Sequence, residues 1–126
     1  MIALPELRGA AATKDRLLDA AEALFMEHGF EATSLRLITA TAGANLAAAN
    51  YHFGSKEELF QAVLTRRLDP MNQQRVELLD RFERETAPEI VPCERILAAL
   101  FIPALRLARD PQRGGTNFLR LLGRAY

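Results

Sequence analysis

Residues 33–56 read TSLRLITATAGANLAAANYHFGSK. Thr33 and Ser34 are tandem candidates for the N-cap of a short helix, because a hydroxyl there accepts a hydrogen bond from the free N–H groups of the first turn. Gly43 ends that helix, and Asn45 is a favourable N-cap for a second helix of about two turns. Two short helices joined by a glycine turn are the layout of a helix-turn-helix motif, whose second helix lies in the major groove of DNA.

The charges around this motif favour a polyanion as its partner. The whole chain has 16 basic and 16 acidic residues and a net charge of zero, which gives no overall attraction to nucleic acid. Residues 32–56, the acid-free segment, contain no acidic residue, although Glu31 and Glu57 flank them. Arg36 and Lys56 make this segment locally positive. Short alanine-rich helical hairpins also occur in many all-α proteins, so the pattern alone leaves DNA binding and a purely structural hairpin both open.

The rest of the chain also reads as helices. Apolar residues recur with a 3.6-residue period and no segment alternates as a strand does, so the sequence predicts an all-α protein. Residues 1–12 are expected to form a mobile N-terminal arm, with Thr13 as the cap of the first helix. Asp69-Pro70 predicts a kink or a restart within a later helix, and residues 86–92 a linker. A further helix over residues 93–108 is indicated by an apolar stripe: Ile96, Leu97, Leu100, Phe101, Ala104 and Leu105.

Composition excludes several classes of protein. A chain of 126 residues that is 49% hydrophobic and 25% charged is an ordinary globular protein, and no apolar run is long enough to span a membrane. The single cysteine, Cys93, excludes an intrachain disulfide and a multi-cysteine zinc site. His28 and His52 lack ligand-spaced partners, so we expect no metal and no cofactor. Without a nucleophile, acid and base arrangement we expect no enzyme, and without a signal-peptide pattern we expect a cytoplasmic protein.

A longer stretch carries a resemblance to a known family. Residues 20–64, AAEALFMEHGFEATSLRLITATAGANLAAANYHFGSKEELFQAVL, resemble the N-terminal DNA-binding domain of the TetR family of bacterial transcriptional repressors. The resemblance extends from about Thr13 to Leu64 without a gap. Its most specific parts are the Phe25…Gly29-Phe30…Thr33-Ser34 run, the Ala42-Gly43 turn and the run Tyr51-His52-Phe53-Gly54-Ser55-Lys56-Glu57.

The resemblance implies an organisation and a function. Residues 13–64 would be a three-helix helix-turn-helix domain that binds double-stranded DNA at a palindromic operator. Residues 65–126 would begin a helical effector-binding and dimerisation domain of a homodimer, which releases DNA when a small molecule binds. Residues 96–126 are similar to members that respond to fatty acids or acyl-CoA thioesters, which implies an effector of that class. The last apolar segment reaches Tyr126 without a cap, so we expect the second domain to be incomplete.

The resemblance also implies roles for single residues. Thr33 or Ser34 would hold a backbone phosphate at the corner before the second helix, and Arg36 would reach a base edge. Lys56 would bind a phosphate. The recognition helix and its cap supply the remaining expected DNA contacts: Asn45, Leu46, Ala47, Ala48, Asn50, Tyr51 and His52.

Two other functions compete with a repressor. The chain could be a helical ligand-binding or protein-interaction module that has lost DNA binding, or an enzyme. A degenerate DNA-binding domain would be expected to lose Arg36, Tyr51, His52 and Lys56, and this sequence keeps all four. The sequence therefore favours the repressor.

Overall fold

The computed structural model describes residues 5–125, and the surroundings of the side chains at 9–112 and 114–124. Within this range the chain forms helices and no strand, which confirms the all-α prediction. The helices are α1 (Pro5–His28), α2 (Leu35–Ala42), α3 (Leu46–His52), α4 (Lys56–Thr86), α5 (Cys93–Arg109) and α6 (Gly115–Ala125), with a 3-10 turn over Pro111–Arg113. The chain divides into two compact units, and the division falls within α4 after Thr65.

The first helix begins earlier than predicted. Residues 1–4 of the expected mobile arm lie outside the described residues, but the rest of that arm belongs to α1, which begins at Pro5. Proline suits a first helical turn, and the alanines of residues 10–12 have the highest helix propensity. Thr13 is therefore not a cap. Its hydroxyl donates a hydrogen bond back to the carbonyl of Gly9 at 2.9 Å, inside the helix.

The first unit packs α1, α2, α3 and the first turns of α4 around a common core. Its fully buried side chains include Leu17, Phe25, Ile38, Leu59 and Val63. An aromatic cluster closes one corner of this core, with the rings of Phe25, Phe30 and Phe60 all within 6 Å of one another, at centroid distances of 5.8, 5.1 and 5.2 Å. The aromatic rings bury much apolar surface and fix how the turn after α1 meets α4.

In the second unit α4 passes through Pro70 without a break. The predicted restart at Asp69-Pro70 is therefore wrong, because the helix runs from Lys56 to Thr86 with Pro70 inside it. The proline lacks the N–H that would bond to the carbonyl of Arg66, and the rest of this 31-residue helix continues on both sides.

The later helices follow the prediction more closely. Residues 87–92 form the expected linker, and α5 covers Cys93–Arg109. The face of α5 that is buried consists of Ala99, Pro103 and Leu107, whereas most of the apolar stripe that indicated the helix is about half exposed, namely Ile96, Leu97, Leu100, Phe101 and Leu105. No helix among residues 5–125 is long and apolar enough to cross a membrane.

Candidate nucleic-acid interface

The two candidate caps, Thr33 and Ser34, have different roles at the corner before α2. Ser34 is the N-cap, and its hydroxyl accepts a hydrogen bond from the backbone N–H of Leu37 at 3.1 Å. Thr33 is only 1% exposed, and its hydroxyl lies 2.7 Å from the carbonyl of Gly29 and 3.2 Å from that of Leu24. Thr33 is therefore not the cap of α2, since its buried side chain holds the end of α1. Ser34 alone keeps an exposed hydroxyl at this corner.

The turn between α2 and α3 has the geometry that the glycine and asparagine predicted. Gly43 has φ 66°, a left-handed conformation that favours glycine, and its N–H bonds back to the last turn of α2. Asn45 is the N-cap of α3, and its side-chain oxygen accepts from the N–H of Ala48 at 2.8 Å. The predicted helix of about two turns after Asn45 is confirmed as Leu46–His52.

An arginine that the sequence did not indicate stabilises this turn. Arg16 on α1 donates a hydrogen bond from Nε to the carbonyl of Ala42, the last residue of α2, at 3.1 Å. A guanidinium at this point satisfies a carbonyl that the helix end leaves free and complements the negative end of the helix dipole. The contact joins residues 26 positions apart, so no local pattern in the sequence could have shown it.

The recognition helix α3 is held by one small buried residue and exposes most of the rest. Ala49 is 2% exposed and packs into the core, while Leu46 is 41% and Tyr51 83% exposed. The outward side of α3 and its flanks carry most of the predicted DNA contacts. Among all the predicted residues, those exposed are Ser34, Arg36, Asn45, Leu46, Ala47, Asn50 and Tyr51, those half-buried are Ala48, His52 and Lys56, and the one buried is Thr33.

The end of α3 is built from three consecutive aromatic side chains. The Tyr51 and His52 rings meet edge to face with centroids 5.0 Å apart, and His52 lies 6.1 Å from the ring of Phe53. Because Tyr51 is so exposed, its phenol is available to a partner, while His52 remains half-buried beside it. The last turn of the helix therefore carries an imidazole and a phenol ring in contact with each other.

Lys56 has an internal role besides the phosphate contact expected of it. Its ammonium group donates a hydrogen bond to the carbonyl of Phe30 at 2.9 Å and lies 4.1 Å from the centre of the same ring. Ser55 caps the helix that Lys56 begins, with its hydroxyl accepting from the N–H of Glu58 at 3.1 Å. The Lys56 ammonium keeps two further N–H donors, so a phosphate contact stays a prediction beside this structural one.

The second unit contains a cavity of about 230 Å³ between α4 and α5. Its floor is apolar, formed by the buried side chains of Met71, Pro103 and Leu107. Its polar lining is mainly cationic, with three arginines and one carboxylate among the side chains Arg66, Arg67, Gln74, Arg106 and Asp110. Among the described residues no group of three His, Cys, Asp or Glu side chains is placed to hold a metal ion.

Comparison with known proteins assigns this arrangement to a family. Residues 17–63 match the family model of the bacterial regulatory proteins of the tetR family. The uncharacterized HTH-type transcriptional regulator TtgW of Pseudomonas putida is 37% identical over 103 residues, which cover 82% of this chain and 68% of TtgW. The chain belongs to the tetR family.

Other relatives match this tetR-family chain over shorter stretches. The HTH-type transcriptional repressor ComR of Escherichia coli is 45% identical over 56 residues, 44% of this chain. The HTH-type transcriptional dual regulator CecR of Shigella flexneri is 53% identical over 49 residues, 39% of this chain. These matches span only 27% of ComR and 22% of CecR.

Proposed function

We propose that the protein is a DNA-binding transcriptional repressor that acts in the cytoplasm as a homodimer on a palindromic operator. In this proposal the two copies of α3 enter successive major grooves, about 34 Å apart. The observation that carries the proposal is the outward side of α3, which is exposed, contains neutral donors and lies within the acid-free segment, with Tyr51 at 83% exposure. Tyrosine is enriched at interfaces because its side chain combines an apolar ring with a hydrogen-bonding hydroxyl.

Polar groups before and after α3 in the chain are candidates to hold the DNA backbone. Ser34 and Arg36 stand at the start of α2, and both are exposed. His52 and Lys56 stand at the end of α3 and the start of α4. Contacts to phosphates fix the register of a protein on DNA without specifying the sequence. We assign these four residues to that role, with Arg36 also able to reach a guanine edge.

The proposed release of DNA uses the second unit. Its cavity combines an apolar floor with the guanidinium of Arg106, which suits a small organic anion with an apolar body. A fatty acid has that chemistry, and an acyl-CoA thioester is the related candidate implied by the family resemblance. Binding there would favour a state in which the dimer no longer fits the operator, because a ligand shifts an equilibrium only by its preference for one state. The relative ComR is named a transcriptional repressor, which supports repression rather than activation in this proposal.

A binding measurement with salt titration tests the proposal. The full 126-residue chain is titrated against a fluorescent duplex of about three helical turns, enriched from a random library, and the anisotropy is followed as salt increases. We expect cooperative binding by a dimer and a steep fall of affinity with salt, since phosphate contacts release counterions. Tyr51→Ala should weaken binding, whereas Arg84→Ala, an exposed residue of the second unit, should not.

The competing function gives a different result. A ligand-binding or protein-interaction module without DNA binding would enrich no duplex even at low salt. Its Tyr51→Ala variant would then behave like the parent protein toward DNA. Either finding would overturn the repressor proposal.

A further inference from the structure

The exposed side of α3 has an unusual chemical composition for a helix that is to read DNA. It carries no lysine, arginine, aspartate or glutamate over Leu46–His52. Its exposed groups are the leucine side chain of Leu46, the methyl of Ala47, the amide of Asn50 and the phenol of Tyr51. Asn45, at the N-cap, already uses its side-chain oxygen to bind the N–H of Ala48.

The burial of Ala49 determines which of these groups points farthest outward. Successive residues of an α-helix are rotated by about 100°, so the positions opposite a buried residue lie two residues away in either direction. For Ala49 these positions are Ala47 and Tyr51, and Asn50 lies on the other side of Ala47 from Tyr51. The centre of the outward face is therefore a methyl group, flanked by a phenol and an amide.

The edges of the base pairs match this set of groups unequally. In the major groove a thymine presents a methyl group, and its paired adenine presents N7 and N6, which an Asn side chain binds bidentately. A guanine is read best by an arginine or lysine and a cytosine by a carboxylate, and α3 has none of these. Its apolar groups match the thymine methyl, and its amide matches adenine with two hydrogen bonds.

We propose that α3 reads A·T pairs, with Ala47 and Leu46 packed against thymine methyl groups and Asn50 bound to an adenine. This inference rests on the proposed function, because it assumes that α3 enters the major groove. Arg36 stands on α2, outside this face, and any guanine contact it makes lies beside the A·T positions. Ala47 is thus a specificity-determining residue, although it has only one side-chain carbon.

Replacement of thymine by deoxyuracil tests the inference, because the two bases differ only in the methyl group. The duplex enriched from the random library is resynthesised with deoxyuracil at one thymine position at a time, and the full chain is titrated against each duplex. We expect about fourfold weaker binding at each thymine that α3 contacts, the factor given by burying one methyl group. Salt dependence should stay the same for every duplex, since no phosphate contact changes.

Ala47→Gly removes the protein's half of the contact. In this variant thymine and deoxyuracil should bind equally at one position of each half-site. Ala23→Gly, an exposed alanine of α1, introduces the same helix-weakening residue and should keep the fourfold preference. Enriched duplexes that bind equally well with deoxyuracil throughout, or whose α3 positions are G·C, would overturn the inference and leave the proposed function standing. Enrichment of no duplex at all would overturn the proposed function and this inference together.

Discussion

The Lys56 ammonium bonds to the carbonyl of Phe30 and covers the ring of the same residue, at 2.9 Å and 4.1 Å. One side chain at the start of α4 thereby fixes the turn that follows α1. Since Phe30 also packs on Phe25 and Phe60, this turn is held from both sides. The recognition helix lies in the chain between Phe30 and Lys56, so the contact closes the loop of chain that contains α3.

Replacement of Lys56 by methionine should therefore have two separable effects. Lys56→Met keeps an apolar stem but removes the charge-assisted hydrogen bond and the cation–π contact, and we expect a loss of about 1–2 kcal/mol in the free energy of unfolding by urea. If one of the remaining N–H donors binds a phosphate, the variant should also bind DNA with a weaker salt dependence. The salt slope, which is the slope of log affinity against log salt concentration, should fall in magnitude by about one. A stability loss with an unchanged slope would leave Lys56 as a structural residue alone. Arg84→Met, at an exposed site, serves as the control for both measurements.

The parts of this site that could be predicted from sequence are those determined by near neighbours. The caps at Ser34 and Asn45 and the left-handed Gly43 each depend on groups within three or four residues, and their residue types indicated them directly. The contacts of Arg16 with Ala42 and of Lys56 with Phe30 each span 26 residues. They exist only once the helices have packed, so no spacing in the sequence could have revealed them.

The burial of Thr33 is a further feature that the sequence could not show. Threonine is also a favoured cap residue, and only packing against α1 decides that the Thr33 hydroxyl is buried. The continuity of α4 through Pro70 is similar, because a proline in the sequence suggests an interruption whereas the helix runs from Lys56 to Thr86. Propensity is a weak preference that tertiary packing overrides.

Asn45 offers a test that separates folding of α3 from its electrostatics. Asn45→Ala removes the N-cap, and we expect a loss of about 1 kcal/mol in stability and weaker DNA binding. Asn45→Asp keeps the cap and places a carboxylate at the positive end of the helix, so stability should be retained. Its added negative charge in the acid-free segment should still weaken DNA binding, most strongly at low salt. Urea unfolding and anisotropy on the same samples give both quantities, and an aspartate variant that binds DNA as tightly as the parent would argue against α3 lying in the groove.

Thr33 should influence stability rather than charge-dependent binding. Thr33→Val keeps the shape but removes the hydroxyl that satisfies the Gly29 carbonyl, and we expect a cost of about 1–3 kcal/mol. Thr33→Ser keeps the hydroxyl and should lose less, since only one buried methyl disappears. In both variants the salt slope of DNA binding should match the parent, as measured by anisotropy under conditions where each is folded. A lower slope in Thr33→Val would mean that this residue contacts a phosphate after all.

Arg106 provides the test of the proposed effector site. It lines the cavity of the second unit on the side of α5, together with the buried floor of Met71, Pro103 and Leu107. Octanoate should raise the melting temperature of the chain and lower its affinity for the enriched duplex, because a ligand that binds only the folded state stabilises it. Octanol has the same apolar chain without the carboxylate and should do neither, since the guanidinium would have no anion to bind.

Arg106→Gln should abolish the response to octanoate while leaving DNA affinity in its absence unchanged. Arg84→Gln, which also removes one exposed positive charge from the second unit, should respond as the parent does. The two variants have the same net charge. A difference between their responses to octanoate therefore reflects the cavity rather than overall electrostatics. Equal stabilisation by octanoate and octanol would show that the cavity recognises only the apolar chain, and an undiminished octanoate response in Arg106→Gln would place the carboxylate elsewhere.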